Sequence, residues 1–226
     1  MNLTEHYNQL YKKSSKAILT EQYKLDPQIN NPSDSRFGLT LLIRPSETIK
    51  ANIQLFLEEI KAIEPNQYYY PDSDIHITVM GIISCYEGFT LDQINIPEYI
   101  DLIEQSLVEL DQIEIEFRGL TASPSAIMIQ GFPTDESLNI FRNKLRESFK
   151  NSTLEQSIDS RYIIAAAHST VMRFQEKLEN TKQLIQVAEK FRDYNFGKFQ
   201  VKKLELVYND WYQREGNTIH LADFNL

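Results

Sequence analysis

Cysteine is almost missing from this sequence: Cys85 is the only one in 226 residues, so no intrachain disulfide can form. That fits a reducing compartment. Cys85 itself follows an apolar strand pattern and reads as a small half-buried residue rather than a nucleophile. Glycine is scarce as well, with seven scattered positions and no Gly-rich loop to cradle a nucleoside triphosphate. There is no run of about 18 apolar residues, so no membrane-spanning helix is expected. Residues 1–15 are polar and lack the apolar core of a signal peptide, which makes a cytoplasmic location the expectation. Positive charge is in deficit too, because 23 basic residues face 32 acidic ones and leave a net charge of −9. A field of that sign repels a phosphate backbone, so tight binding to long nucleic acid is not expected, although a small anion can still find a locally positive pocket. Metal-ligand patterns are also missing, with one cysteine and no His-x-x-x-His pair on a helix.

What is present suits one fairly large domain, since 42% hydrophobic and 24% charged residues are ordinary for a globular chain of this length. Apolar spacing predicts a helix over 4–23 with Tyr7, Leu10, Tyr11 and Ile18 on one side, then a polar loop from Leu25 to Arg36. Phe37 to Arg44 reads as a strand stopped by Pro45. A helix follows, with Ile49, Ile53, Phe56, Leu57, Ile60 and Ile63 on one face, and it ends at Pro65. Tyr68 to Tyr70 and Ile75 to Ser84 form a strand region, and Pro97 opens a helix carrying Ile100, Ile103, Leu107 and Leu110 inward. Strands at 113–117 and 126–131 precede a helix with Leu138, Phe141, Leu145 and Phe149 as its stripe, and then a short helical turn over 152–158. A strand from Arg161 to Phe174, a helix over 176–194 and two strands over 199–208 and 218–224 complete the chain. Strand–helix–strand units recur in both halves, which predicts an α+β protein with two related lobes.

Two of the four histidines share a local pattern: His76-Ile77-Thr78-Val79 and His168-Ser169-Thr170-Val171 both read His-x-Thr-Val. In a strand, residues i and i+2 face the same side, so each motif aims one imidazole and one hydroxyl at the same surface. An imidazole with its ordinary pKa near 6.5 can accept or donate a proton at neutral pH. One on each side of a phosphodiester supplies a general base for the attacking water and a general acid for the departing ribose oxygen. The two threonine hydroxyls can donate hydrogen bonds to the non-bridging oxygens, where charge builds. No metal enters this scheme, and a two-histidine metal site finds no carboxylate at a matching position within either motif.

These paired tetrapeptides resemble the 2H phosphoesterase superfamily, which includes the bacterial RNA 2',3'-cyclic phosphodiesterases also called 2'-5' RNA ligase-like proteins. The resemblance spans 36–226 in element order, leaving residues 1–35 as a helical extension that it does not explain. It implies a bilobal α+β fold in which two antiparallel sheets flank a central groove with helices outside. It implies His76 and His168 as the catalytic pair, with Thr78 and Thr170 binding phosphate. The substrate would be a small nucleotide or short oligonucleotide, with no cofactor, no membrane partner and a monomeric chain. Some members carry a basic residue after the second motif, a place that Arg173 can fill. Strict alternation points Arg173 away from His168, so that role needs a bulge or twist at Met172; the other reading is a surface arginine paired with an acid. Family members also place an aromatic on a late strand beside the pocket, which singles out Tyr212 from the Trp211-Tyr212 run, otherwise read as packing. His6 and His220 lack a threonine two places on and read as surface or packing residues. The rivals are an RNA ligase running the reaction backward and a non-catalytic nucleotide-binding module.

Overall fold

In the computed structural model, which describes residues 2–108, 110 and 112–226, five helices and nine strands follow one another along the chain. They are α1 (Leu3–Leu19), β1 (Arg36–Ile43), α2 (Glu47–Lys61), β2 (Tyr68–Tyr69), β3 (Ile77–Glu87), α3 (Ile96–Leu107) and β4 (Glu114–Ser123). Then come β5 (Ala126–Pro133), α4 (Ser137–Lys150), β6 (Ser169–Arg173), α5 (Thr181–Lys190), β7 (Asn195–Gln200), β8 (Lys203–Asp210) and β9 (Ile219–Asn225). Met1, Glu109 and Asp111 lie outside the described residues.

The strands form two antiparallel sheets, one ordered β3-β1-β8-β9 and the other β2-β6-β5-β4-β7. The two sheets are not successive halves of the chain. C-terminal β8 and β9 complete the sheet of β1 and β3, while the early strand β2 pairs with β6 of the other. Helical stripes supply much of the core. Ile49, Ile53, Phe56, Leu57 and Ile60 of α2 are buried, as are Leu138, Phe141, Leu145 and Phe149 of α4. Each such side chain contributes roughly 1.5–3 kcal/mol when fully buried. α1 packs on β4 and α5, α2 on β7 and α5, and α4 on α3 and β3.

Several elements depart from the pattern read in the sequence, each for a local reason. β4 continues past Phe117 to Ser123 because a bulge at Arg118–Gly119, with Gly119 at φ 74°, breaks the alternation without ending the ladder. Residues 152–158 form turns rather than helix, and Ser157 donates its N–H to the Ile82 carbonyl and accepts from Ser84 N–H at 2.7 Å. The strand expected from Arg161 shrinks to β6, since arginines from α4 take the carbonyls of Ile164 and Ala166. α5 starts only at Thr181, where the Glu64 carboxylate takes the N–H groups of Glu179 and Asn180 at 3.0 and 2.7 Å. The strand read over 199–208 divides at Val201 into β7 and β8, which belong to different sheets.

Of residues 1–35, unexplained by the resemblance, the described ones from Asn2 onward are stitched to the second sheet and the loops beside it. Tyr7, Tyr11 and Ile18 are buried, and Tyr7 Oη donates to the Gly131 carbonyl at 3.0 Å. Further along, Lys24 N–H bonds the Pro124 carbonyl and Asp26 N–H that of Phe174.

Candidate active site

Both His-x-Thr motifs adopt the alternation that their spacing demands. His76 and Thr78 are half-buried while Ile77 and Val79 are buried, and His168 and Thr170 repeat this against Ser169 and Val171. β3 and β6 lie in different sheets. Even so, all four side chains line one cavity of about 200 Å³, shared with Tyr70, Arg161, Arg173 and Trp211.

Specific backbone contacts hold the two motifs. His76 Nδ1 lies 2.7 Å from the Asp74 carbonyl oxygen. A carbonyl only accepts, so Nδ1 carries the hydrogen and, in the neutral ring, Nε2 keeps a free lone pair. Between the motifs runs Arg142 of α4, fully buried. Its Nε donates to the Val79 carbonyl at 3.0 Å, and its Nη2 to those of Thr78 and Ala166 at 2.9 and 3.0 Å. One guanidinium thus ties the first motif to the residue two places before His168. Three carbonyl dipoles solvate this charge, and Nη1 has no hydrogen-bond partner among the described residues. Burial lowers its pKa to about 10, and the charge of Arg146 acts in the same direction. On the other flank, the Ala167 carbonyl crosses so close over Gly131 that any side chain there would strike it.

Burial also holds both imidazoles at a pKa of about 4, since the charged form loses its water. At His76 the Asp74 carbonyl opposes that shift, while the charges of Arg44 and Arg173 add to it. At His168 the nearby charge of Arg142 deepens it, followed by those of His6 and Arg173. Both rings are therefore neutral at pH 7, and an anion between them would raise the proton affinity of each. Neither Thr78 nor Thr170 has a partner for its hydroxyl among the described residues, which leaves both free to donate into the cavity.

Arg173 does reach this cavity, because a bulge intervenes. Met128 pairs with Thr170 but Ile127 pairs with Met172, so Val171 is the extra residue and the alternation flips after it. The same arginine also donates from Nε to Tyr70 Oη at 2.8 Å and faces Asp26 at 3.7 Å, so it lines the groove and pairs with an acid at once. Tyr212 is displaced from its expected place. It is fully buried beneath the groove, donating to Asp26 at 2.9 Å and accepting from Arg36 at 3.3 Å, and the member of the pair that meets the cavity is Trp211. Cys85 touches the groove wall, but burial pushes its thiol up to about 12 and leaves it inert. His220 is an exposed residue beside Asp223, as read. His6 is not a plain surface residue, since it borders a cavity together with His168. Arg142 and Arg161 were not read from the sequence. For Arg142 a signal existed, because it falls within the buried stripe between Leu138 and Leu145, where a charge must find partners.

Solved structures of low identity share this fold. TT0787 of Thermus thermophilus matches with a TM-score of 0.58 at 16% identity, covering 84% of this chain and 97% of that one. LigT of E. coli, in complex with 3'-AMP, gives 0.55 at 12% identity over 84% and 98%. ATU0111 of Agrobacterium tumefaciens, a conserved protein of unknown function, gives 0.56 at 17% over 93% and 98%. No curated protein matches the sequence. A sequence model of the 2'-5' RNA ligase superfamily matches residues 49–212, a stretch that holds both His-x-Thr motifs and Arg142. The chain belongs to the 2'-5' RNA ligase superfamily, the 2H phosphoesterases.

Proposed function

We propose that this protein is a phosphodiesterase that opens a small cyclic phosphate or cleaves a nucleotide linkage by proton transfer between His76 and His168. The observation that carries this reading is the convergence of two imidazole–hydroxyl pairs, from separate sheets, on one cavity sized for a small group. The surroundings of the two rings suggest a division of labour. His168, a neutral ring with the Arg142 charge nearby, takes the proton of the attacking water. His76, whose imidazolium the Asp74 carbonyl supports, gives its proton to the leaving ribose oxygen as the P–O bond breaks. The substrate's own negative charge raises the affinity of His76 for that proton. Thr78 and Thr170 donate to the non-bridging oxygens, and Arg173 offsets charge at the groove wall. The base, the acid and the hydrogen-bond donors of this scheme are all side chains of the protein, so the scheme calls for no metal. LigT, which shares the fold, was crystallised with 3'-AMP; a nucleoside monophosphate is the type of product that ring opening leaves.

The test is a panel of 2',3'-cyclic nucleotides, 2'-5' oligoadenylates and cyclic dinucleotides in EDTA. Wild type should hydrolyse at least one of them, and His76→Ala and His168→Ala should each lose about 10²–10⁴-fold in kcat. A p-nitrophenyl phosphodiester separates the two roles, since its leaving group needs no acid. His76→Ala should keep most of its activity on that ester, whereas His168→Ala should not. Saturable binding without turnover in all three proteins would make the site a binding module, and activity that depends on added metal would overturn the scheme.

A further inference from the structure

Beside the phosphate groove lies a second cavity, of about 470 Å³, walled by His6 and Leu10 of α1, Ser123 at the end of β4 and residues 162–166. Thr78, Tyr162, Ile164 and His168 border both cavities, so the two form one cleft with His168 at the join. The chemistry of the second chamber differs from that of the first. Leu10, Ile163, Ile164, Ala165 and Ala166 give it aliphatic walls, and His6, Ser123 and Tyr162 supply a few polar groups. Tyr162 is 66% exposed and Ile163 70%, which is a large apolar surface to leave in water beside an active site.

We propose that this cavity holds the nucleobase of the substrate, a planar heterocycle joined through its ribose to the phosphate lying between His76 and His168. The proposal rests on the phosphodiesterase reading for its phosphate end. Its volume falls in the roughly 300–1,000 Å³ range of small-molecule sites, and apolar walls with a few polar groups suit a flat ring with a hydrogen-bonding edge. The stretch of the first cavity beside Trp211 suits a base poorly. There the Trp211 ring already has the Arg161 and Arg36 guanidinium carbons 4.5 and 5.0 Å from its centroid. Arg161 has no carboxylate partner among the described residues; Ser157 and Ser160, close to it in sequence, line the same cavity, as does Gln213. That stretch fits a further phosphate or sugar. The cleft therefore joins an apolar chamber to a polar groove that holds the paired histidines together with Arg161 and Arg173. His6 and Leu10 lie outside the residues 49–212 that match the family, so this wall is supplied by α1, the segment that the resemblance leaves unexplained.

Calorimetric titration with 3'-AMP and with inorganic phosphate tests the assignment without relying on turnover. Wild type should bind 3'-AMP at least 10-fold more tightly than phosphate. Leu10→Glu, which puts a charge into the chamber, and Leu10→Trp, which fills it without one, should each erase most of that difference while leaving phosphate affinity unchanged. Leu10 is only partly buried, and the thermal midpoint of each variant checks that it folds. Equal affinity for the two ligands in wild type, or undiminished 3'-AMP binding in both variants, overturns the base site. A wild type that binds 3'-AMP in the expected way yet hydrolyses nothing in the panel sinks the phosphodiesterase reading and leaves the base site standing. Hydrolysis of nucleotides that is lost in His168→Ala but indifferent to both Leu10 variants does the reverse.

Discussion

An imidazole that has lost its water is a liability when it takes up a proton, and this protein keeps two of them. Each is held near pKa 4 by burial, against an ordinary value of about 6.5 in the unfolded chain. Between those values the unfolded state binds more protons than the folded one, so stability is full above about pH 6.5 and drains away as pH falls toward 4. A fully dry ring would cost on the order of 3 kcal/mol over that window, and these half-buried ones cost less. The urea midpoint should therefore drop between pH 7 and pH 5, and the drop should shrink in His76→Gln/His168→Gln; an unchanged slope in the double variant would show that the rings titrate normally. The hydroxyls can be tested in the same way, residue by residue. Thr78→Val and Thr170→Val, near in shape but without the donor, should each lower kcat about 10²-fold with little change in KM. Parallel losses in KM would instead mark them as ground-state binders. At this scale much was legible in the sequence, because a period of two in a strand converts directly into a shared face. What escaped was whatever a bulge or a turn re-aims. Arg173 arrives through the extra residue at Val171, and Trp211 rather than Tyr212 meets the groove where the chain leaves β8 and Gln213 turns to φ 61°.

At the scale of elements, the question is what keeps two motifs from separate sheets in register with each other. No hydrogen-bond ladder joins β3 to β6. The link is Arg142, which bonds to the carbonyls of Thr78, Val79 and Ala166. Replacing it by methionine keeps most of the volume but strands three carbonyls, so stability should fall by about 2–4 kcal/mol. The loss of activity should exceed what unfolding explains. At a temperature where the variant is fully folded, kcat should drop at least 10-fold with KM little changed, since small misplacements of reacting groups are costly. Arg142→Lys, which keeps the charge but lacks the fork, should recover part of the stability and less of the rate. Without the neighbouring cation, the His168 titration followed by NMR should move up in the methionine variant. A variant with normal kcat and an unmoved His168 would reduce Arg142 to a packing residue. The helical stripe of α4 was plain in the sequence, but the carbonyls that Arg142 would meet were not, because two of them belong to a strand more than 60 residues earlier.

For the whole molecule, the interleaving of the chain matters more than the outline of two sheets. Sequence order placed one motif in each half and predicted two lobes, which the sheets bear out. It did not reveal that β8 and β9 return to the sheet of β1 and β3, or that β2 crosses to β6, because strand pairing between distant segments leaves no local signal. That topology has a thermodynamic consequence. Neither sheet is expected to persist while the other melts, because the first takes its strands from both ends of the chain and encloses in sequence those of the second, and α1 with Asp26 adds further ties from the N-terminus to Gly131 and Arg173. Side by side, two independent lobes would unfold in two steps; lobes woven in this way should unfold in one. Trp211, the single tryptophan, reports on the groove by fluorescence, while far-UV circular dichroism averages over all helices and strands. The two denaturation curves in urea should superimpose, with one midpoint and one slope. A Trp211 transition preceding the loss of secondary structure would mean that the cleft opens while the sheets stand, and the weave would then confer no cooperativity between them.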